Sequence, residues 1–401
     1  MSKLRAALLR YRSSALLNQA VNGLSTLIQT LVAAHTLSPV QFGKFATVQI
    51  LTLLVAGLHR AGVLQPVLFD IRAKPECPVA ELRHKVIVIG VGASLVLGVT
   101  ATATDGALQY YSGSLALIVP VAFYWDAVRV HYQGKRANRE LLVGDLVGAA
   151  VGISWFISGA SLGSGLIFLS LGLAAGPIAS SVVLLPPWSG RWKPWKQRWP
   201  RRTSGHLAGD FIISTGFDQV VTVLAGVLLS PLAVGAVRLA QTTVGPVAVL
   251  MVAQEVSLVP LLRGAAATVR QKLLLALRAF AGISAVSVVI GATLTVLPDE
   301  VGSQIFGPSW QLASSVVLAV AVRQAAAAAG VGGVLALRTS NAADVAFKVR
   351  LVTSPASAAL LLPVLLYGNL CGFAWSVAGL QCVNSLILVG MAYRLSNGDN
   401  T

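Results

Sequence analysis

The sequence predicts an all-α polytopic membrane protein with twelve transmembrane helices, arranged as two tandem six-helix lobes. Three observations carry this. Of 401 residues, 55% are hydrophobic and 11% charged, where an ordinary soluble domain has roughly 25% charged residues. Mean hydropathy is +0.76, so a water-soluble core of this size would lack the polar surface to cover it. The cations also collect in alternate connections between apolar stretches, and the two halves repeat each other.

Each spanning helix needs roughly 20 predominantly apolar residues, and twelve stretches qualify. In the first half they fall at 13–36, 43–66, 85–104, 113–133, 141–160 and 162–186. Lys3, Arg5, Arg10 and Arg12 run into the first without a small-residue cleavage site, so this start reads as a helix anchor rather than a cleavable signal. The fifth and sixth are separated only by the turn from Gly159 to Gly165. In the second half the stretches fall at 207–229, 234–262, 273–297, 310–336, 345–367 and 370–393. Pro66, Pro246 and Pro260, in helices two and eight, are placed to supply bends.

Net charge is +16, which by itself would suit a nucleic-acid partner. Its distribution argues against one. Every Lys and Arg except Lys44, Arg60, Arg129, Arg238 and Arg323 lies in the N-terminal segment, the C-terminal segment or alternate connections, or just inside the helices that flank them. The opposite connections hold Asp105, Asp299 and Glu300. By the positive-inside rule both termini face the cytoplasm of a bacterial inner membrane. Cys77, Cys371 and Cys382 form neither a CxxC nor a zinc-ligand spacing, so no disulfide framework or metal site is expected.

The expected organisation is a lobe at 1–186, a linker at 187–206 and a lobe at 207–401. Within the linker, Trp188, Trp192, Trp195 and Trp199 step by four, three and four among Arg and Lys. That pattern suits an interfacial helix with its cations toward anionic headgroups, although Pro194 and Pro200 interrupt it. A basic linker that only fixes orientation is the plainer reading.

The halves align at an offset of 192. Leu37-Ser38-Pro39 matches Leu229-Ser230-Pro231, Gly43 matches Gly235 and Gln49 matches Gln241. Asn18, Asn22, Thr26 and Thr30 match Asp210, Ser214, Asp218 and Thr222. Steps of four place each set on one helical stripe. Ser, Thr and Asn commonly join helices in membranes, but Asp210 and Asp218 need a partner or water. A shared stripe on helices one and seven therefore suggests that they face a central cavity, as in transporters built from parallel repeats.

Charges inside the spans are Arg60, Asp126, Arg129, Asp145, Arg238, Glu255 and Arg323, besides the stripe carboxylates. Each costs about 2.5–3.5 kcal/mol at the centre of an isolated helix. Arg60, Asp218, Glu255 and Arg323 are the deepest. Arginine grips phosphate bidentately and keeps its charge when desolvated, so Arg60, Arg323 and Arg129, with Asn18, Asn22 and Asp210, form the candidate substrate set. Asp218 and Glu255 are the candidates for a coupling proton or sodium ion; no other cofactor is indicated. Arg129 is close enough to the cytoplasmic end to snorkel, and Asp126 and Arg129 are spaced to pair along one helix face.

Leu37-Ser38-Pro39 with Phe42-Gly43 after a polar first helix resembles the opening of the polysaccharide-type flippases of the MOP superfamily, Wzx-like and more distantly MurJ-like. Phe306-Gly307-Pro308-Ser309-Trp310 is similar to a short outer-loop motif of that family. The resemblance implies two six-helix lobes forming a V, as in the related MATE proteins, with alternating access to a cationic cavity. It also implies a polyprenyl-diphosphate-linked glycan as cargo and glycan-assembly enzymes as partners. MurJ-like members commonly carry two further helices, so the Wzx-like pattern fits better. Two other readings stay open: a cation-coupled MATE-type exporter of small molecules, and a non-transporting scaffold of a glycan-assembly complex. An enzyme would need acidic or histidine clusters in sizeable loops, which these short connections do not offer.

Overall fold

The computed structural model describes residues 2–66, 79–134, 137–163, 165–184, 201–264, 268–340 and 342–398. All regular structure among them is helical. The helices are α1 (Ser2–Thr36), α2 (Pro39–His59), α3 (Val79–Ala103), α4 (Gly106–Gly134), α5 (Asn138–Ser161), α6 (Leu166–Val183), α7 (Arg201–Phe211), α8 (Phe217–Leu228), α9 (Pro231–Thr243), α10 (Gly245–Gly264), α11 (Val269–Thr295), α12 (Asp299–Phe306), α13 (Trp310–Thr339), α14 (Ala343–Tyr367) and α15 (Leu370–Gly398). Two π turns, Arg60–Leu64 after α2 and Ile212–Gly216 between α7 and α8, complete the set.

Each of the twelve apolar stretches contains a helix. Among the described residues, ten helices are long and apolar enough to cross a membrane, and α9 with α10 forms one further, bent candidate. That bend measures 53° and falls at Gly245-Pro246, where proline removes a helical N–H and its ring displaces the preceding turn. Helix α10 continues through Pro260. The first helix, α1, carries too many Asn, Gln, Ser and Thr to count by apolarity alone. The tryptophan-rich stretch from Trp188 to Trp199 lies outside the described residues. Helix α7 already begins at Arg201, within the expected linker.

The repeated Leu-Ser-Pro motif is a helix start. Ser38 caps α2 by accepting from the Gln41 N–H at 3.4 Å, while the Gln41 side chain accepts from the Ser38 N–H at 3.2 Å. Pro39 occupies the first turn, where no N–H is needed. Ser230 likewise accepts from the Ala233 N–H at 3.3 Å, ahead of α9. Chain reversal between adjacent helices is thus encoded twice by the same local chemistry. The Phe-Gly-Pro-Ser-Trp motif is a corner: Gly307 adopts φ +82°, and Trp310 is fully buried and stacked on Phe306 at 4.6 Å. Gly302 lies directly against that indole, so only a residue without Cβ fits there.

The chain separates into two compact units, Met1–Val223 and Leu224–Thr401. In the first, α5 and α6 pack through small residues. Gly148 and Gly176 approach backbone to backbone, and Ser180 Oγ donates to the Gly144 carbonyl at 2.8 Å. Close approach of this kind replaces the hydrophobic driving force that lipid removes. Helix α1 packs on α5, α3 on α4, and α7 on α2 and its π turn. In the second unit α13 is central and packs against α9, α11 and α15. Ser284, Ser287 and Ser385 donate to the carbonyls of Ala325, Ala321 and Ala326 at 2.8, 2.9 and 2.7 Å. The alanine-rich face of α13 lets these neighbours come close enough to bond to its backbone.

Candidate functional site

Arg60 opens the π turn that follows α2. A π turn sets one residue out of helical register and recurs at functional sites. Here it precedes Pro66, whose missing N–H leaves the Gly62 carbonyl without its usual donor. The Arg60 Nη2–H donates to Asp126 Oδ1 on α4 at 2.5 Å. The Arg60 side chain is 50% exposed and that of Asp126 only 6%, so a buried carboxylate anchors a guanidinium whose other donors remain accessible. His59 is buried beside them, stacked on Phe123 with ring centroids 3.9 Å apart.

Helix α7 completes this surroundings. The Phe211 ring fills the space that a Cβ on Gly57 would take, and Ala208 lies 3.4 Å from where a Cβ on Gly62 would stand. The second π turn, Ile212–Gly216, also packs on α2, with Leu54 against Gly216. Each π turn therefore packs on the helix that carries the other, within the first unit. Asp210 and Asp218 flank the second one, and both side chains are half-buried.

A separate polar network ties α1, α4 and α5. Arg129 Nη2 donates to Asp145 Oδ2 at 3.4 Å, with the Asp145 side chain fully buried. The amide of Asn22 approaches the same carboxyl, and Trp125 lies under the Arg129 guanidinium at 5.9 Å. The pairing expected between Asp126 and Arg129 does not form. The two residues take partners on different neighbouring segments, Arg60 in the π turn after α2 and Asp145 on α5. Asn18 is buried one turn before Asn22 and accepts from its side chain at the backbone carbonyl, at 2.8 Å.

Much of the shared polar stripe is satisfied along its own helix. Thr26 and Thr30 donate to the carbonyls of Asn22 and Thr26, and Ser214 and Thr222 to those of Asp210 and Asp218. Gln49 of α2 reaches Thr30 at 3.4 Å. In the second unit Glu255 lies 3.8 Å from Arg338, both side chains about two-fifths exposed. Arg323 is half-buried on α13, next to Gln324, whose amide meets Met251 Sδ at 2.9 Å.

This helix order is shared with solved structures. An inward-facing multidrug resistance MATE family transporter of the MOP superfamily matches with a TM-score of 0.66 at 12% identity, over 97% of this chain and 96% of its own. An outward-facing one matches with 0.64 at 12% identity, over 98% and 96%. The chain shares the fold of these transporters. A MOP superfamily transporter from Pyrococcus furiosus, described as having a binding pocket of reversed polarity, matches with 0.59 at 11% identity, over 98% and 96%. No protein-family model and no curated protein matches the sequence.

Within this fold, the first unit thus holds two charge clusters: Arg60 with Asp126 and His59, and Arg129 with Asp145 and Asn22. Sequence reasoning placed the arginines but not His59 or Trp125, whose roles depend on rings from α4 and on a cation carried by it. The only sequence cue to His59 was its position beside Arg60 in an otherwise apolar stretch.

Proposed function

We propose that this multi-pass protein transports by alternating access, and that its cargo is a polyprenyl-diphosphate-linked glycan moved from the cytoplasmic to the outer leaflet for cell-surface polysaccharide assembly. The observation that carries this reading is Arg60, a half-exposed guanidinium inside an apolar span, oriented by the buried Asp126. A guanidinium held at one edge keeps a planar fork of donors for a second oxyanion, and phosphate matches that fork bidentately. Asp126 balances the Arg60 charge in the unloaded span and holds one edge of its fork, which leaves the other edge for a headgroup oxyanion. Arg323 on α13 is a further candidate cation, in the second unit. In this reading the protein sits in a bacterial inner membrane with both termini cytoplasmic, beside the enzymes that build the glycan.

The test is transbilayer movement of a fluorescent polyprenyl-diphosphate glycan in vesicles. Arg60→Gln with Asp126→Asn removes both charges while leaving a polar, hydrogen-bonding side chain at each position. It should cut flipping at least about tenfold, the loss of roughly 1.4 kcal/mol of selective binding, at unchanged thermal stability. Wild-type rates in that variant, or no flipping by the unmodified protein, would overturn the reading, the latter in favour of a scaffold.

A second reading is a cation-coupled exporter of small organic molecules. It is favoured by the multidrug resistance proteins among the structural matches and by the carboxylates Asp210 and Asp218. Here Asp218, with Glu255, would take the coupling proton or sodium ion. Broad drug resistance on expression, lost in Asp218→Asn, would select this reading over the first.

A further inference from the structure

A groove of about 640 Å3 opens where α2, α4 and α6 begin, all within the first unit. Its walls are Lys44, Tyr110, Leu166, Ile167, Phe168 and Leu171, with Gly165 at the rim. All lie within a few turns of the short connections that join α1 to α2, α3 to α4 and α5 to α6. Lys44 is half-buried and has no ion-pair or hydrogen-bond partner among the described residues. The facing helices supply no carboxylate to it. Asp126 on α4 is held by Arg60, α6 has no acidic residue, and Asp105 ahead of α4 is exposed and unpaired with it.

The walls are braced. The Tyr110 and Ser170 hydroxyls bond to each other across α4 and α6, and Ser170 donates to the Leu166 carbonyl at 2.8 Å. Phe168 stacks on Trp155 of α5 at 4.6 Å, and Trp155 Nε1 donates to the Phe168 carbonyl at 2.9 Å. Tyr and Trp at this level mark the headgroup boundary of a bilayer. One cation therefore stands at headgroup depth above an apolar floor, and Ile167 is 65% exposed, as a lipid-facing side chain would be.

We propose that this groove is a binding site for an anionic phospholipid of the leaflet on the short-connection side, with its phosphate on Lys44 and an acyl chain along Leu166 to Leu171. The occupant follows from complementarity: a single unneutralised ammonium calls for one negative charge, and the other lining side chains are apolar apart from the Tyr110 hydroxyl, which is engaged by Ser170. The site is independent of the transported cargo, since none of its residues belongs to the two charge clusters.

Native mass spectrometry of the full chain, released from detergent with phosphatidylglycerol or phosphatidylcholine of identical chains, tests this. The protein should retain phosphatidylglycerol in preference. Lys44→Gln should weaken that retention about fivefold, as expected for one cation near a headgroup, and Lys44→Arg should restore it. Leu171→Trp should fill the groove and weaken retention with the charge intact. Equal retention of the two lipids, or unchanged retention in both Lys44→Gln and Leu171→Trp, would overturn the proposal and leave Lys44 merely snorkelling to water. Full competition by soluble glycerophosphoglycerol would also overturn it, since the site would then read the anion without the chain.

Discussion

Arg60 and Asp126 are joined at 2.5 Å across α2 and α4, and the carboxylate is the buried member. This asymmetry makes the two halves of the pair unequal. Removing the guanidinium strands a buried charge, whereas removing the carboxylate strands one that is half exposed.

Arg60→Ala should therefore destabilise the protein more than Asp126→Ala. The expected loss for Arg60→Ala is about 1.5–3 kcal/mol, in the range of a charged hydrogen bond with its buried acceptor left unmade. Asp126→Ala should fall below that, and the double variant should recover part of the loss. Thermal unfolding in detergent checks the order, and a double-mutant cycle gives the coupling. Equal losses in the two single variants would contradict the burial asymmetry.

Arg129 and Asp145 are both more enclosed, and Asn22 supports the carboxyl. Arg129→Ala should cost about 3–5 kcal/mol, as for breaking a buried pair from one side. Replacing both, as Arg129→Met with Asp145→Leu, should return stability to within about 2 kcal/mol of wild type. If Arg129 acts only in this network, the double variant also keeps its transport rate. A folded double variant that no longer transports would instead assign Arg129 to the cargo path.

The α5–α6 contact depends on Gly148. A Cβ there would stand 2.8 Å from the Gly176 carbonyl oxygen, which is backbone and cannot rotate away. Gly148→Ala should lose about 1–3 kcal/mol by overpacking. Gly92→Ala in α3, where nothing lies within 4 Å, should be neutral or gain up to about 1 kcal/mol of helix propensity. Melting temperatures of the two alanine variants should move in opposite directions, or only the first should move.

The two capped starts should respond alike. Ser38→Ala and Ser230→Ala each remove a side-chain acceptor for a first-turn N–H and should cost about 0.5–2 kcal/mol. Ser38→Ala should also loosen Gln41, its reciprocal partner in the capping box. Hydrogen exchange over residues 39–43 and 231–235 would detect the fraying even where the global melting point barely shifts.

Twelve helical segments were legible from composition because a bilayer imposes a length and an apolarity on anything that crosses it. The Leu-Ser-Pro repeat was legible as a motif, and its meaning is local: Ser38, Pro39 and Gln41 lie within one turn, so cap chemistry needs no distant partner. The bend at Gly245-Pro246 was visible for the same reason. Helix α1 shows the limit of such counting. Its polar stripe lowers its apolarity, yet Thr26 and Thr30 are paid back by carbonyls one turn earlier.

The sequence by itself determined the all-helical membrane class, the places where helices start and break, and which charges lie in apolar stretches. Only the tertiary structure decided which of those charges meet. Asp126 and Arg129 are three residues apart on one helix, a turn of about 300°, and from spacing alone they look like partners. Folding turns Asp126 to Arg60, 66 residues earlier, and Arg129 to Asp145, 16 residues later. The reason is physical: helix periodicity and lipid solvation act on each segment separately, whereas ion pairing depends on which helices become neighbours.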